Sequence, residues 1–433
     1  MALRLNAKDP DFRLRFDAFA GARREAPEDV RAVVTEILAD IRTRGDIALL
    51  ELTRRLDRLN VAEVAALRVG EAEIDAASAE VPEATLAALD LAAQRIEDYH
   101  IRQKPQDANW RDDAGVTLGW RWTPVAAAGI YVPGGTAAYP SSVLMNAIPA
   151  RVAGVERVAM AVPAPDGKLN PLVLAAAKRA GVTEIWRIGG AQAIAALAYG
   201  TATIQPVDKI AGPGNAYVAE AKRQVFGVVG IDAIAGPSEI LVVADRNNEP
   251  DWIAADLLSQ AEHDPAAQCV LIADDAAFAD RVAAAVDRLL PTLPRRDIAG
   301  ASWRAHGAII VVGSVERDAP SLVDQLAPEH VELAVADPET LARRLKNAGA
   351  IFLGRYTPEA IGDYVAGSNH VLPTQRAARH ASGLGVLDFM KRTSIMGCQP
   401  DSVRVIGPAA VTLAEAEGLG AHALSVKLRL TPR

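Results

Sequence analysis

The amino-acid sequence predicts an α/β protein with two parallel sheets and a mostly helical N-terminal region. Half of the 433 residues are hydrophobic and the mean hydropathy is +0.10, which is sufficient for large buried cores. The first hundred residues show apolar side chains at helical spacing. After Gly115 the chain repeats apolar runs, glycine or proline turns, and alanine-rich stretches, a pattern typical of parallel strands covered by helices on both faces.

Two long helices are expected before residue 115. From Pro27 to a stop at Gly45, apolar residues recur every three or four positions: Val30, Val33, Val34, Ile37, Leu38 and Ile41. A second helix is expected from Pro82 toward Ile101, because proline suits the first helical turn, where its missing N–H is not needed. Both helices are interpreted as scaffold, and residues 1–27 as an N-terminal arm.

The repeated units divide the rest of the chain. Residues 131–237 are predicted to form one α/β domain. Residues 238–383 repeat the pattern and are predicted to form the sheet of another domain, to which the helical residues 28–130 are assigned. Residues 384–433 are interpreted as a C-terminal tail. The likeness between the two halves is architectural and has no fixed period.

Composition narrows the possible functions. The net charge is −8 and no basic run occurs, which argues against nucleic-acid binding and against a polybasic membrane patch. The two cysteines are far apart, which fits a reducing compartment and excludes a closed thiolate zinc site. The N-terminus lacks an apolar signal region, and no apolar run approaches transmembrane length. We therefore expect a cytoplasmic protein that acts on a small molecule.

Three glycine turns lead from apolar runs into helical stretches. They are PGG at 133–135, GGAQ at 189–192 and GPGN at 212–215. Unpaired amides at a helix N-terminus favour phosphate, so each turn is a candidate cofactor site. Tyr131, Gln192 and Asn215 border the turns and could contact a nucleotide. None of the turns is a standard dinucleotide fingerprint, and glycines that only form tight turns are an equally good explanation.

The stretch LLSQAEHDP at 257–265 contains a candidate metal site. If it forms the end of a helix stopped by Pro265, Gln260 and His263 lie three residues apart on one face. An amide oxygen and an imidazole can bind a first-row metal, but they supply only half of a site and no charge. A polar helix end at the surface explains the same residues.

A second candidate group is found in QLAPEHVELAV, where Glu329 and His330 precede a strand-like alternation. A carboxylate and an imidazole at one loop could serve as two bases, because histidine accepts protons near neutral pH. A solvated glutamate and a capping histidine are the alternative.

Farther along the chain, three more residues could join such a site. Asp363 would supply a negative ligand, His422 a second imidazole, and Glu417 lies close to His422 in sequence. His370 is close enough to Asp363 to line the same pocket. The spacing alone does not bring these residues together.

The sequence closely resembles the histidinol dehydrogenase family over nearly its whole length. The matching blocks are GIYVPGGTAAYPSSVLMNAIPA, IGGAQAIAALAYGT, VDKIAGPGNAYVAEAKRQV, AGPSEI, LLSQAEHDP, PEHVEL, GDYVAGSNHVLPT and AEGLGAHALSVKLRL. The resemblance implies two Rossmann-like parallel-sheet domains, and a homodimer whose small terminal segments intertwine. It implies oxidation of L-histidinol to L-histidine through L-histidinal with two NAD-dependent hydride transfers, the last two steps of histidine biosynthesis.

The resemblance also assigns roles to residues. It implies one zinc ion per subunit, bound by Gln260, His263, Asp363 and His422. It implies that Glu329 and His330 are the catalytic bases and that Tyr131, Gln192 and Asn215 bind NAD. The implied substrate contacts are Ser238, Gln260, His263, His330, Asp363, Glu417 and His422. The tail that carries Glu417 and His422 would complete the partner's site.

Three other functions remain open from the sequence. A related NAD and zinc enzyme could oxidise a different amino alcohol or polyol. A metallohydrolase could use zinc and Glu329 to activate water without a nucleotide, although the glycine turns argue against it. A noncatalytic dimer joined by metal would need neither base.

Overall fold

The computed structural model describes residues 2–22, 28–134 and 139–430. The elements of the first part are β1 (Leu3–Asn6), α1 (Phe12–Gly21), α2 (Glu28–Arg44), α3 (Asp46–Leu56), α4 (Glu71–Glu80), α5 (Glu83–Ile101), β2 (Ala108–Arg111) and β3 (Thr117–Pro124). The two predicted helices are confirmed as α2 and α5. Pro82 immediately precedes α5, while Pro27 lies outside the described residues.

The second part forms a five-stranded parallel sheet with helices on both faces. Its elements are β4 (Ala127–Tyr131), α6 (Pro140–Ala153), β5 (Arg157–Ala161), α7 (Pro171–Ala180), β6 (Glu184–Trp186), α8 (Gly190–Tyr199), β7 (Lys209–Ala211), α9 (Ala216–Val225) and β8 (Gly230–Ile231). The strand order is β6-β5-β4-β7-β8. Every residue of β4 is buried, as expected for a central strand that is covered on both faces.

The third part forms a six-stranded parallel sheet. Its elements are β9 (Glu239–Ala244), α10 (Pro250–Ala261), β10 (Gln268–Ala273), α11 (Ala276–Leu289), α12 (Arg296–His306), β11 (Ala308–Val311), α13 (Val315–Leu326), β12 (His330–Ala334), α14 (Pro338–Ala342), β13 (Ala350–Leu353) and α15 (Glu359–Tyr364). The strand order is β1-β11-β10-β9-β12-β13. The α/β prediction with two parallel sheets is confirmed.

The tail contains β14 (Met390–Gly397), α16 (Pro400–Ala416) and α17 (Gly420–Leu430). Strand β14 pairs antiparallel with β3, which also pairs with β2, to give a third small sheet. Helix α17 packs against α16. Large apolar side chains of this helix pair are exposed, among them Val405, Leu413 and Leu428.

The N-terminal region packs differently from the prediction. Residues 28–130 were assigned to the sheet of residues 238–383, but α2 and α3 share a hydrophobic core with α8 and the five-stranded sheet. Helix α5 likewise packs against α6 on the opposite face of that sheet. Residues 3–6 of the predicted arm form β1, which pairs with β11 at the edge of the six-stranded sheet. The apolar stripes predicted the helices correctly, but a stripe does not specify which sheet covers it.

No helix within residues 2–22, 28–134 and 139–430 combines the length and apolar character needed to cross a membrane.

Candidate active site

The catalytic candidates lie at the amino ends of two neighbouring strands. His330 is the first residue of β12, Glu239 is the first residue of β9, and Glu329 immediately precedes β12. Strands β12 and β9 pair in parallel, so their amino ends lie side by side. The strand predicted after Glu329 is confirmed.

The imidazole of His330 is buried, and only one of its two nitrogens forms a hydrogen bond within the described residues. Nδ1 lies 3.0 Å from the carbonyl oxygen of Glu239. A carbonyl only accepts, so Nδ1 carries the proton and Nε2 carries the lone pair. Among the described residues, Nε2 has no hydrogen-bond partner. Burial lowers the pKa of His330 to about 4, so the ring is neutral at pH 7 and can accept a proton at Nε2.

Glu329 is attached to the same strand end. Its Oε2 accepts a hydrogen bond from the amide of Glu239 at 2.9 Å and lies 3.7 Å from Nδ1 of His330. Burial raises the pKa of Glu329 well above its usual value, and nearby carboxylates add to this effect. A buried carboxyl with a raised pKa is a stronger base when ionised than a carboxyl in water.

Two carboxylates face the free nitrogen of His330. Nε2 lies 3.8 Å from Oε1 of Glu359 and 3.9 Å from Oδ1 of Asp363. One candidate ligand atom from each of the three residues lies within 4.8 Å of the other two, close enough to bind one metal ion. Burial and the neighbouring Asp363 raise the pKa of Glu359 well above its usual value, and Ser259 donates a hydrogen bond to its Oε2 at 3.2 Å.

Glu359 was not among the site residues predicted from the sequence. Its signal was the spacing in PEAIGD, where Glu359 and Asp363 are four residues apart and lie on one face of α15. A second carboxyl pair was not predicted either: buried Glu332, two residues after His330 in β12, is hydrogen-bonded to half-buried Asp256. Burial raises the pKa of both groups, so together they bind a proton more readily than two exposed carboxylates.

The predicted metal ligands are only partly brought together. Asp363 belongs to the cluster. Gln260 lies in the last turn of α10, is 1% exposed, and has no hydrogen-bond partner for Oε1 among the described residues. The prediction that Gln260 and His263 share a helix face is wrong, because α10 ends at Ala261 and His263 lies in the following turn. His263 is exposed but near enough to lower the pKa values of His330 and His370.

The remaining predicted residues of the tail are separate from this cluster in the single chain. Glu417 directly follows α16 and His422 lies in α17, and both are exposed. In the part of the chain that is described, no hydrogen bond or ion pair joins either residue to His330 or Asp363.

His370 links helix α15 to helix α6. Its Nδ1 donates to the carbonyl oxygen of Asp363 at 3.1 Å, and it lies 3.8 Å from Oδ1 of the same residue. Its Nε2 lies 3.5 Å from the hydroxyl of Ser142, in the first turn of α6. The expectation that His370 lies close to Asp363 is confirmed. The first predicted glycine turn lies between β4 and α6, and its Gly135 is outside the described residues.

The second glycine turn lies at the carboxyl end of β6. The amide of Gly190 donates to the hydroxyl of Tyr131 at 3.1 Å, and burial raises the pKa of Tyr131 to about 12. Tyr131 is 3% exposed and packs in the core, so its ring face is not open for stacking on a ligand. Gln192 is 1% exposed and donates from Nε2 to Asp57 at 3.2 Å. Its Oε1 has no partner among the described residues.

The third glycine turn is held by internal contacts. The amide of Gly212 donates to Asp232 at 2.8 Å, and its carbonyl oxygen accepts from Lys222 at 3.0 Å. Lys222 and Asp232 form a buried ion pair. The side-chain oxygen of Asn215 accepts from the amides of Tyr217 and Val218 at 3.1 and 3.2 Å and caps α9. This turn therefore has a structural role, and the Asn215 amide group remains available for a ligand.

Ser238, the last predicted substrate contact, directly precedes β9 and is half-buried. Its carbonyl oxygen accepts from the amide of Gln268 at 2.9 Å. This places Ser238 one residue from Glu239, whose main chain holds both His330 and Glu329.

Together the fold and this geometry define an α/β enzyme with a buried neutral histidine base beside a possible metal site. A family model described as histidinol dehydrogenase matches residues 21–430. The histidinol dehydrogenase of Rhodospirillum rubrum is 65% identical over 430 residues, 99% of each chain, and that of Ruegeria pomeroyi is 63% identical over 98% of each. The crystal structure of histidinol dehydrogenase from Elizabethkingia anophelis is 35% identical, with a TM-score of 0.93 over 99% of this chain and 98% of that chain.

The chain belongs to the histidinol dehydrogenase family, and it is an oxidoreductase.

Proposed function

We propose that the protein oxidises L-histidinol to L-histidine through L-histidinal, in two NAD-dependent steps, with one zinc ion per subunit. These are the last two steps of histidine biosynthesis. Membership of the histidinol dehydrogenase family supports the substrate. The single structural observation that carries the proposal is the free, buried Nε2 of His330, which faces Asp363 and is fixed in its tautomer by Glu239.

His330 is the base of the first oxidation. Its Nε2 takes the proton of the substrate hydroxyl while the carbon loses a hydride. The bond from Nδ1 to the Glu239 carbonyl keeps the second proton on the opposite side of the ring. This bond also orients the ring, as a main-chain partner does for histidine bases in general.

Glu329 is the base of the second oxidation. The aldehyde carbon must gain a water oxygen before it can lose a second hydride, and Glu329 removes a proton from that water. The amide of Glu239 donates to Oε2 and fixes the carboxylate. Two bases on one strand end therefore serve the two half-reactions, while the buried site retains the reactive aldehyde between them.

The NAD-binding residues of the proposal are Tyr131, Gln192 and Asn215. The residues fit such a group, because Gln192 presents a buried oxygen without a partner and the Gly190 turn leaves no room for a Cβ beside that oxygen. When bound, NAD accepts the hydride in each oxidation. Tyr131 presents its hydroxyl, Gln192 its amide oxygen, and Asn215 its amide nitrogen at the start of α9.

The zinc ligands of the proposal are Gln260, His263 and Asp363, with His422 of the partner subunit. The donor set fits zinc, since it offers two imidazoles, one carboxylate and an amide oxygen, and Oε1 of Gln260 is buried without a partner. When bound, zinc orients the substrate through its imidazole and amine. Glu359 does not belong to this set. It holds Asp363 through a hydrogen bond.

The substrate contacts of the proposal are these metal ligands, together with Ser238, His330 and Glu417. Glu417 would bind the second nitrogen of the substrate imidazole. Since Glu417 and His422 are exposed on the tail, a homodimer in which each tail completes the partner's site is part of the proposal. The exposed apolar side chains of α16 and α17 support burial of this tail against a second copy. We place this enzyme in the cytoplasm.

The stoichiometry of the reaction tests this proposal. Purified protein is given L-histidinol and excess NAD, and NADH and histidine are quantified after completion. We expect two NADH per histidine and no accumulated aldehyde. One NADH per substrate with histidinal as the product would contradict the two-base scheme, and no NADH with L-histidinol would contradict the substrate.

A further inference from the structure

Asp57 lies at the end of α3, far in sequence from the glycine turn that its carboxylate contacts. It is 7% exposed. Its Oδ2 accepts from Nε2 of Gln192 at 3.2 Å, and the amide of Gly189 also donates to the carboxylate. Its own carbonyl oxygen accepts from the amide of Asp166 at 3.0 Å, in the segment that follows β5. Asp57 thus joins two loops at the carboxyl ends of β5 and β6.

The contact with Asp57 determines which way the Gln192 amide points. A glutamine amide has one donating and one accepting end, whereas an ionised carboxylate only accepts. The nitrogen of Gln192 must therefore face Asp57, and Oε1 must point the other way. Within the described residues, Oε1 has no donor and is fully buried. A buried acceptor without a partner is unfavourable and indicates a donor that arrives with a ligand.

The main chain of Gly190 lies directly beside Oε1 and leaves no room there for a side chain. A Cβ at Gly190 would lie 2.8 Å from Oε1, and Gly190 has a φ of +61° that disfavours any side chain. The Gly190 amide is held by the hydroxyl of Tyr131. Gln192 is therefore fixed from both sides, by Tyr131 through the turn and by Asp57 directly.

We propose that Asp57 is a positioning residue for NAD, which holds Gln192 so that its amide oxygen accepts a hydrogen bond from a hydroxyl or amide group of the cofactor. This inference deepens the proposed function and rests on its assignment of NAD to this turn. Asp57 itself does not contact the cofactor, since both the Gly189 amide and the Gln192 amide use its carboxylate.

The positioning role of Asp57 can be tested by exchanging the carboxylate of Asp57 and the amide of Gln192 between positions 57 and 192. In Asp57→Asn, the asparagine can turn its oxygen toward Gly189, but its NH2 then faces the Gln192 nitrogen. Gln192 must rotate and present a donor to the cofactor. In the double variant Asp57→Asn with Gln192→Glu, one oxygen of the introduced carboxylate accepts from the asparagine. The other oxygen again presents an acceptor to the cofactor, at the same total charge as the wild-type pair.

The measurements are the NAD dissociation constant by calorimetry and the steady-state constants. For Asp57→Asn we expect about tenfold weaker NAD binding and a matching rise in the KM for NAD. The kcat at saturating NAD and the KM for histidinol should stay within about twofold, because a loss of cofactor binding alone raises the KM for NAD without changing the chemical step. The double variant should recover most of the lost affinity. Asp166→Asn is the matched control, because its exposed side chain pairs with Arg58 and should leave NAD binding unchanged.

Denaturation midpoints without NAD separate folding from binding. Asp57→Asn and Gln192→Glu should each lower the denaturation midpoint, and the double variant should lower it by less than the sum of the two shifts, since contacting residues couple. NAD binding that Asp57→Asn leaves unchanged, or a double variant that binds no better than the singles, would overturn the positioning role alone. A wild-type protein that binds no NAD would instead contradict the proposed function, and the cofactor role of Gln192 with it.

Discussion

Replacement of the two bases should separate the two half-reactions. In Glu329→Gln the new side chain keeps its shape, and its oxygen can still accept from the Glu239 amide at about the observed 2.9 Å. The variant therefore loses the ability to take a proton but keeps the contact that fixes the residue. In His330→Asn the Asn nitrogen can still donate to the Glu239 carbonyl, while the free ring nitrogen is lost.

The expected magnitude follows from the loss of one base. General-base catalysis contributes about 10² to 10⁴ in rate. This equals about 3 to 5 kcal/mol of the activation free energy at 1.36 kcal/mol per factor of ten. We expect Glu329→Gln to slow the oxidation of histidinal by this factor and to change the oxidation of histidinol to histidinal much less. His330→Asn should slow the first step by the same factor.

The assay measures each step alone. The first phase of single-turnover NADH formation from histidinol, which ends at one NADH per substrate, reports the first oxidation, and NADH formation from added histidinal reports the second. Unchanged denaturation midpoints confirm that the variants fold. If Glu329→Gln slowed both steps equally, or if it slowed only the first, the assignment of one base to each step would be refuted.

Three further predictions concern the metal, the dimer and the stability of the fold. Glu359→Ala should weaken zinc retention about 10-fold to 100-fold in a chelator titration, whereas unchanged retention would show that Glu359 does not support the site. Mixing inactive His330→Asn and His422→Asn subunits should restore about a quarter of wild-type activity, because half of the random dimers then contain one intact site; no recovery would exclude a shared site. Lys222→Ala should lower the free energy of unfolding in urea by about 3 to 5 kcal/mol by leaving a buried carboxylate unpaired. Loss of the exposed pair with Arg58 in Asp166→Asn should cost much less, because water screens that pair, and an equal effect of both variants would refute the burial argument.

Elements with a strong local signal could be predicted from the sequence. The apolar residues at helical spacing from Val30 to Ile41 correctly predict helix α2. The alternating pattern of residues after Glu329 correctly predicts strand β12. The prediction placed His263 within α10, but the helix ends two residues earlier, at Ala261. Asp264 precedes a proline, which disfavours helical backbone, and its side chain accepts from the amide of Ala266 in a turn. His263 therefore lies in the turn after the helix.

Long-range features had no local signal. The short strand β1 exists because β11 offers it an edge, and its four residues alone do not predict a strand. The packing of α2 against α8 could not be predicted either, because both sheets offer an apolar face. Asp57 was missed for the same reason, since its partner Gln192 is 135 positions away in the sequence.

The site was predicted best where residue types were unusual for their position. Glu329, His330 and Asp363 do lie together, and His370 was correctly placed beside Asp363. A carboxylate such as Glu359, which is buried against another carboxylate, was hidden in an ordinary short helix, because burial is a property of the fold. The role of the tail stays a prediction, because a single chain does not test a site shared between subunits.

Zinc anomalous diffraction from crystals of the zinc-loaded protein tests the central claim most directly. The proposal expects one peak per subunit, bound by Gln260, His263 and Asp363 with His422 of the partner subunit, and His330 left free as a base. A peak bound instead by His330, Glu359 and Asp363, the three groups that already lie within 4.8 Å of one another, would contradict the proposal.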